Sequence, residues 1–175
     1  MEEISLNIGC GTDYREGFIN IDGSESLLKV DKIIDISKQS LTEFFQPNSI
    51  SFILANDIIE HHYHWEAYNI LKDFFEILKS GGHCEIRVPD CEFIVSNKRL
   101  DIETKLTLLF GGQDVPQGVD TEMDKSRKVY PQYFCHKYGW SMDRMKNDLR
   151  KIGFSGIKTE RAGTNFIATA KKSDK

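Results

Sequence analysis

The sequence predicts an α/β fold, a Rossmann-like three-layer sandwich whose sheet is mostly parallel with an antiparallel last strand. Three observations predict it. Short apolar runs rich in β-formers alternate with helical or loop segments, the pattern of parallel strands joined by crossovers. A glycine or an acidic residue follows several of those runs. The last two extended segments, 158–160 and 165–170, are divided by Gly163 like the arms of a hairpin.

Taken in order, Ser5-Leu6-Asn7-Ile8 is a buried strand that stops abruptly at Gly9-Cys10-Gly11. Phe18 to Asp22 repeats the form before Gly23, and Val30 to Ile36 is a third strand with Asp35 near its end. Ser49 to Ala55 is a fourth, after the turn signal Pro47-Asn48. Trp65 to Lys79 then takes helical spacing. Trp65, Tyr68, Leu71, Phe75 and Leu78 form its apolar stripe, read as core packing, and Ser80-Gly81-Gly82 ends it. Cys84 to Val88 is a fifth strand stopped by Pro89. Beyond it the spacing gives a helix over 101–110 and a polar stretch over 111–130, with Pro116 and several glycines, that reads as a mobile lid or an insertion. Ser141 caps a helix running to Ile152, and Gly153 terminates it.

With 23 basic and 27 acidic residues the chain carries a net charge of −4, which argues against broad binding to a nucleic-acid backbone. No stretch approaches the roughly 18 apolar residues of a membrane span, so no membrane insertion is expected. Met1 to Ser5 is acidic where a secretory leader is basic, and the four cysteines form no C-x-x-C pair. A cytoplasmic protein is expected. Its 175 residues suit one domain, 1–175, long enough to bury about 70% of the unfolded surface.

Ligands of an open parallel sheet bind beyond the carboxyl ends of its strands. Gly9-Cys10-Gly11, Asp22, Asp35 and Asn56-Asp57 all fall at such ends. Tyr14 stands where a dinucleotide loop has its third glycine, and few residues separate Gly11 from the next strand. That leaves no helix N-terminus for a pyrophosphate and favours a nucleoside without phosphates. Asp22 has two acceptor oxygens for a ribose diol, or is a turn residue before Gly23. Asp35 receives an adenine amino group with Ile36 packed on the ring, or is a cap. In Glu60-His61-His62-Tyr63-His64, His61 and His64 are spaced i, i+3, but no cysteine or further spaced ligand supports them, and no metal is expected.

Leu6-Asn7-Ile8-Gly9-Cys10-Gly11, Asn20-Ile21-Asp22, Ile58-Ile59-Glu60-His61 and Ile77 to Gly82 occur in that order. Together they resemble the class I S-adenosylmethionine-dependent methyltransferases, in particular the small type-11-like branch. The resemblance covers residues 4 to 90 and continues more loosely through Gly111-Gly112-Gln113 and His136 to Trp140. It implies S-adenosyl-L-methionine as cofactor, with Gly9, Cys10 and Gly11 shaping its pocket. It also implies Asp22 at the ribose, Asp35-Ile36 at the adenine and Asn56 near the methionine part. The chain departs from the family at Asn7, where many members are acidic, and in having only Thr12 to Gly17 where most have a first helix.

An acceptor-side lid or insertion at about 90–140 and a small-molecule or glycan-linked acceptor follow from the same resemblance. A base for the acceptor, where one is needed, would come from His61, His136 or Tyr138. For His136 packing among Tyr133, Phe134, Tyr138 and Trp140 is an equal alternative. A non-catalytic cofactor-binding module with the same fold is the rival reading, and a nicotinamide oxidoreductase is disfavoured by the glycine loop.

Overall fold

A computed structural model describes residues 3–113 and 121–173. Its strands are β1 (Ser5–Ile8), β2 (Ile19–Asp22), β3 (Lys32–Ile33), β4 (Ile50–Asn56), β5 (Leu78–Pro89), β6 (Ser155–Ala162) and β7 (Asn165–Lys171). They form one seven-stranded sheet in the order β3-β2-β1-β4-β5-β7-β6. β1 to β5 pair in parallel, and β7 runs antiparallel between β5 and β6. This is the expected architecture, antiparallel closing hairpin included. Leu6, Ile8, Ile21, Ile53 and Ala55 are fully buried, as strands covered on both faces require.

The crossover from β1 to β2 contains no helix. Two buried amides hold it instead. Asn7 Nδ2 donates to Asp13 O at 2.7 Å and to Asn20 Oδ1 at 3.0 Å, and Asn20 Oδ1 also accepts from Arg15 N at 2.9 Å. An amide at Asn7 can donate to this short loop; a carboxylate there could only accept.

Helix α1 (His64–Ile77) buries Ala67, Ile70, Leu71, Phe74 and Ile77, a face rotated from the expected stripe. Trp65 is 63% exposed and stacks on Tyr63 instead, ring centroids 4.7 Å apart. The helix also ends earlier than expected. Leu78 is already extended and fully buried in β5, so sheet burial stops the helix before its glycines. Lys79 to Gly82 bulge out between Leu78, paired with Ile50, and His83, paired with Phe52. β3 is likewise shorter than 30–36: after Ile33 the chain folds inward, and Ile34 N donates to Asp22 O at 2.9 Å.

Between β5 and the sheet's last hairpin lie α2 (Cys91–Ser96), α3 (Ile102–Phe110), α4 (Glu122–Val129) and α5 (Met142–Ile152). α5 has its expected Ser141 cap and left-handed Gly153. α4 corrects the reading of 111–130 as a polar loop. Thr121 and Asp124 form a capping box at its start, and Arg127 and Lys128 sit in its last turn, so capping and dipole complementarity support it. Residues 114–120, with Pro116, lie outside the described residues, and so does the lid expectation for them.

The core cluster runs through the sheet, α1 and α5. Among the described residues from 91 to 139, only Tyr138 packs against it. That segment lies over the carboxyl end of the sheet. None of the described helices is long and apolar enough to cross a membrane.

Candidate functional site

β1 has β2 on one side and β4 on the other, so the strand order reverses at β1. At that switch point a pocket of about 780 Å³, open mouth included, lies beyond the strand ends. Gly9 and Gly11 line it from the loop after β1. Gly9 has φ +67°, and a Cβ there would sit 2.6 Å from Ile58 Cγ1. Only glycine lets the loop after β1 touch the loop after β4.

Asp22, at the end of β2, is held by backbone N–H groups: Gly11 N donates to Oδ2 and Ser24 N to Oδ1, each at 2.9 Å. Burial raises its pKa, and the N–H groups of Gly11, Ser24 and Gly23 counter part of that rise. Asp35 behaves oppositely. Burial alone would raise its pKa, but hydrogen bonds from Lys38, Ser37 and Tyr133 outweigh it and hold the carboxyl at about 2. Tyr133 Oη donates to Asp35 Oδ2 at 2.8 Å, and Lys38 Nζ lies 2.7 Å from the same oxygen. Ile21, Leu27, Ile34 and Ile36 supply apolar wall between these acids.

The opposite wall follows β4. Asp57, in the left-handed region at φ +52°, receives Asn165 Nδ2 at 2.8 Å and an ion pair from Arg87. Ile58, His61 and His62 continue that wall. His61 Nδ1 lies 3.0 Å from Cys135 O, and its ring meets His136 at 4.9 Å between centroids. Burial lowers both His61 and His62 to about 4, so both are neutral at pH 7. Behind them Glu60 is 1% exposed, and neither carboxyl oxygen has a hydrogen-bond partner among the described residues. Burial pushes its pKa up to about 8.

The fourth wall comes from the capping segment: Met123 and Ser126 of α4, then Tyr133 and Phe134. Ser126 Oγ lies 2.8 Å from Ser24 Oγ, which ties α4 to the loop after β2.

The structure therefore gathers six of the expected residues, Gly9, Gly11, Asp22, Asp35, Ile36 and His61, around one pocket. Cys10 and Asn56 are not among the described lining residues. Cys10 is buried with its thiol pushed up to about 12 by burial first and the charge of Asp22 second, and Asp57 stands in the wall beside Asn56. His136 touches the pocket only through His61. Tyr138 packs on His64 and Trp140, outside it. His64 turns away from His61 altogether, with Nε2 2.8 Å from Asp148 Oδ2 on α5. Tyr133, Met123, Ser126 and His62 were not anticipated. His62 alone carried a signal, as the neighbour of His61.

The sequence matches no family model and no curated protein. Solved structures do resemble it. A methyltransferase of Methanosarcina mazei described as S-adenosylmethionine-dependent superposes with a TM-score of 0.64 at 15% identity, covering 100% of this chain and 95% of that one. A second such enzyme, from Archaeoglobus fulgidus, gives 0.62 at 13% identity over 97% and 86%. The chain has the class I methyltransferase fold. Phosphoethanolamine N-methyltransferase 2 of Haemonchus contortus, in complex with S-adenosyl-L-methionine, gives 0.59 at 14% identity; this chain covers 49% of it. No lysine or arginine is among the described residues lining this chain's pocket, and the glycine loop opens no helix, so nothing there answers to a pyrophosphate.

Proposed function

We propose that the protein is an S-adenosyl-L-methionine-dependent methyltransferase that binds its cofactor in the switch-point pocket. One observation carries the reading: a backbone-anchored, buried Asp22 beside a glycine loop with neither a helix N-terminus nor a lining cation. That set suits a ribose diol and a nucleoside without phosphates. The fit extends along the pocket. Asp35 and Ile36 would take the adenine, and the backbone of Gly9 to Gly11 would let the methionyl portion pass close. The turn at Asn56-Asp57 would face that portion's far end.

The cofactor supplies an electrophilic methyl group on a sulfonium. The chain's part is to orient it and to keep water from it. Ile58, Met123 and Phe134 are apolar walls suited to that, and placing two reactants in line accounts for much of the rate of a displacement. Of the base candidates His61, His136 and Tyr138, His61 alone stands in the pocket wall, beside His62; His136 contacts it from behind. The described part of residues 90–140 is read as the cap on the acceptor side. The acceptor we propose is a small molecule or a glycan-linked group.

Calorimetric titration with S-adenosylhomocysteine and, separately, with NAD tests the reading. One site per chain for the first and none for the second is expected. Binding of NAD alone would overturn it.

A further inference from the structure

Glu60, His61 and His136 each offer one donor atom within 4.8 Å of the other two. We propose that these three residues form a binding site for a divalent first-row transition-metal ion at the edge of the switch-point pocket.

The imidazoles are oriented for it. His61 Nδ1 is 3.0 Å from Cys135 O and His136 Nδ1 is 3.1 Å from Leu108 O. A carbonyl oxygen only accepts, so each Nδ1 carries the proton and each Nε2 is left with its lone pair. A second nitrogen donated to a backbone carbonyl is the arrangement that fixes tautomer and ring angle in histidine metal ligands.

Glu60 supplies the independent observation. It is 1% exposed, and both its carboxyl oxygens lack a partner among the described residues. A buried carboxyl left so costs stability unless something else satisfies it, and a bound cation is a group that does so. The fold pins the three groups together. Lys137 N donates to Glu60 O at 2.8 Å, which ties the capping segment to the turn after β4, and His136 N donates to Phe110 O at 3.0 Å, which holds His136 against the end of α3.

The distances fit. Three atoms within 4.8 Å of one another share a centre at most about 2.8 Å from each, so each donor closes by about 0.7 Å to reach the roughly 2.1 Å of a metal bond. Two histidines and a carboxylate are a mixed nitrogen and oxygen set, which suits Zn²⁺, Co²⁺, Mn²⁺ or Fe²⁺ over Mg²⁺ or Ca²⁺. Three protein ligands leave a position open. Since His61 also lines the pocket, that position lies beside the bound cofactor's place, where an oxygen of the methyl acceptor would complete it. This last assignment rests on the methyltransferase reading; the ion site does not.

The test is Co²⁺ titration of the full chain after chelator treatment, read by visible absorption, with Zn²⁺ competition and Mg²⁺ as a further arm. One saturable Co²⁺ per chain is expected, displaced by Zn²⁺ and indifferent to Mg²⁺. His136→Ala and Glu60→Gln should each weaken binding by at least the roughly 10–100-fold that outer-sphere partners alone are worth. His83→Ala, at an exposed histidine on β5, should leave it unchanged. Circular dichroism confirms that each variant is folded, and the wild-type stoichiometry stands whatever the variants do. No saturable binding, or equal affinity in folded His136→Ala and Glu60→Gln, overturns the site. Parallel titration with S-adenosylhomocysteine separates the two readings, because its loss with Co²⁺ binding intact counts against the cofactor pocket alone.

Discussion

The two sides of the pocket solve the problem of buried charge differently. On the side of β2 and β3, Asp22 and Asp35 are saturated by groups close to them in the chain or lying directly across the pocket: Gly11, Ser24, Ser37, Lys38 and Tyr133. On the side of β4, the side chains of Glu60 and His62 are buried with no hydrogen-bond partner among the described residues. The first side holds its carboxylates with donors from the chain itself. The second leaves polar side-chain atoms without a donor or acceptor from the described residues. On the proposed reading, the first side orients the cofactor and the second coordinates an ion.

The seam between them is the most sensitive point. Gly9→Ala should cost about 2–4 kcal/mol in urea unfolding, from a left-handed β-carbon residue and from overlap with Ile58 at 2.6 Å. A cost under about 1 kcal/mol would show that the two loops are not in contact.

On the side of β2 and β3, Asp22→Asn should weaken S-adenosylhomocysteine binding by about 1.5–3 kcal/mol in calorimetry, the worth of hydrogen bonds to a charged acceptor. Unchanged affinity would remove the ribose from Asp22.

On the side of β4 the sign reverses. In metal-free protein Glu60→Leu should raise stability by about 1–2 kcal/mol, because an unpartnered carboxyl is replaced by a hydrocarbon. The folded Glu60 lies at about 8 against an ordinary 4.5, so the fold keeps a proton that the unfolded chain releases. Wild-type stability from this group therefore falls as pH rises from 4.5 through 8, and the advantage of leucine should widen over that window in thermal melts. An advantage that shrinks with pH would mean Glu60 has a hidden cation partner.

The smallest effect belongs to Asp35. Its pKa is held at about 2, below the ordinary 3.8, so its contribution is complete above 3.8 and lost as pH falls through 2. The stability gap between wild type and Asp35→Asn should close between pH 5 and pH 2. A gap that is constant with pH would mean that Tyr133 and Lys38 do not favour the ionised form.

The same contrast explains what the sequence could show. Strand ends are legible because apolar runs stop sharply, so the sequence alone assigns Gly9, Gly11, Asp22 and Asp35 to one rim. Their placement depends on a few residues of local chain and on the rule for parallel sheets. Cys10 and Asn56 are adjacent to that rim but not on it: Cys10 is buried within the turn between Gly9 and Gly11, and Asn56 is the last residue of β4, before Asp57 turns into the wall. Tyr133, Ser126 and Met123 reach the pocket across long sequence separations and bring no period with them. α4 is polar almost throughout and is specified by its Thr121–Asp124 capping box, a signal without an apolar stripe beside it, so by spacing alone the stretch has the character of a loop. The apolar stripe of α1 misled in a different way. Tyr63 and Trp65 stack on each other at the surface, so aromatic content there reports a local pair and not the core.

A crystal structure with S-adenosylhomocysteine tests the cofactor assignment most directly. The account predicts ribose hydroxyls within hydrogen-bond reach of Asp22, the adenine against Ile36, and the sulfur turned toward the wall that holds His61. A ligand elsewhere on the surface, or an adenine seated against His61 with the sulfur at Asp35, would contradict it.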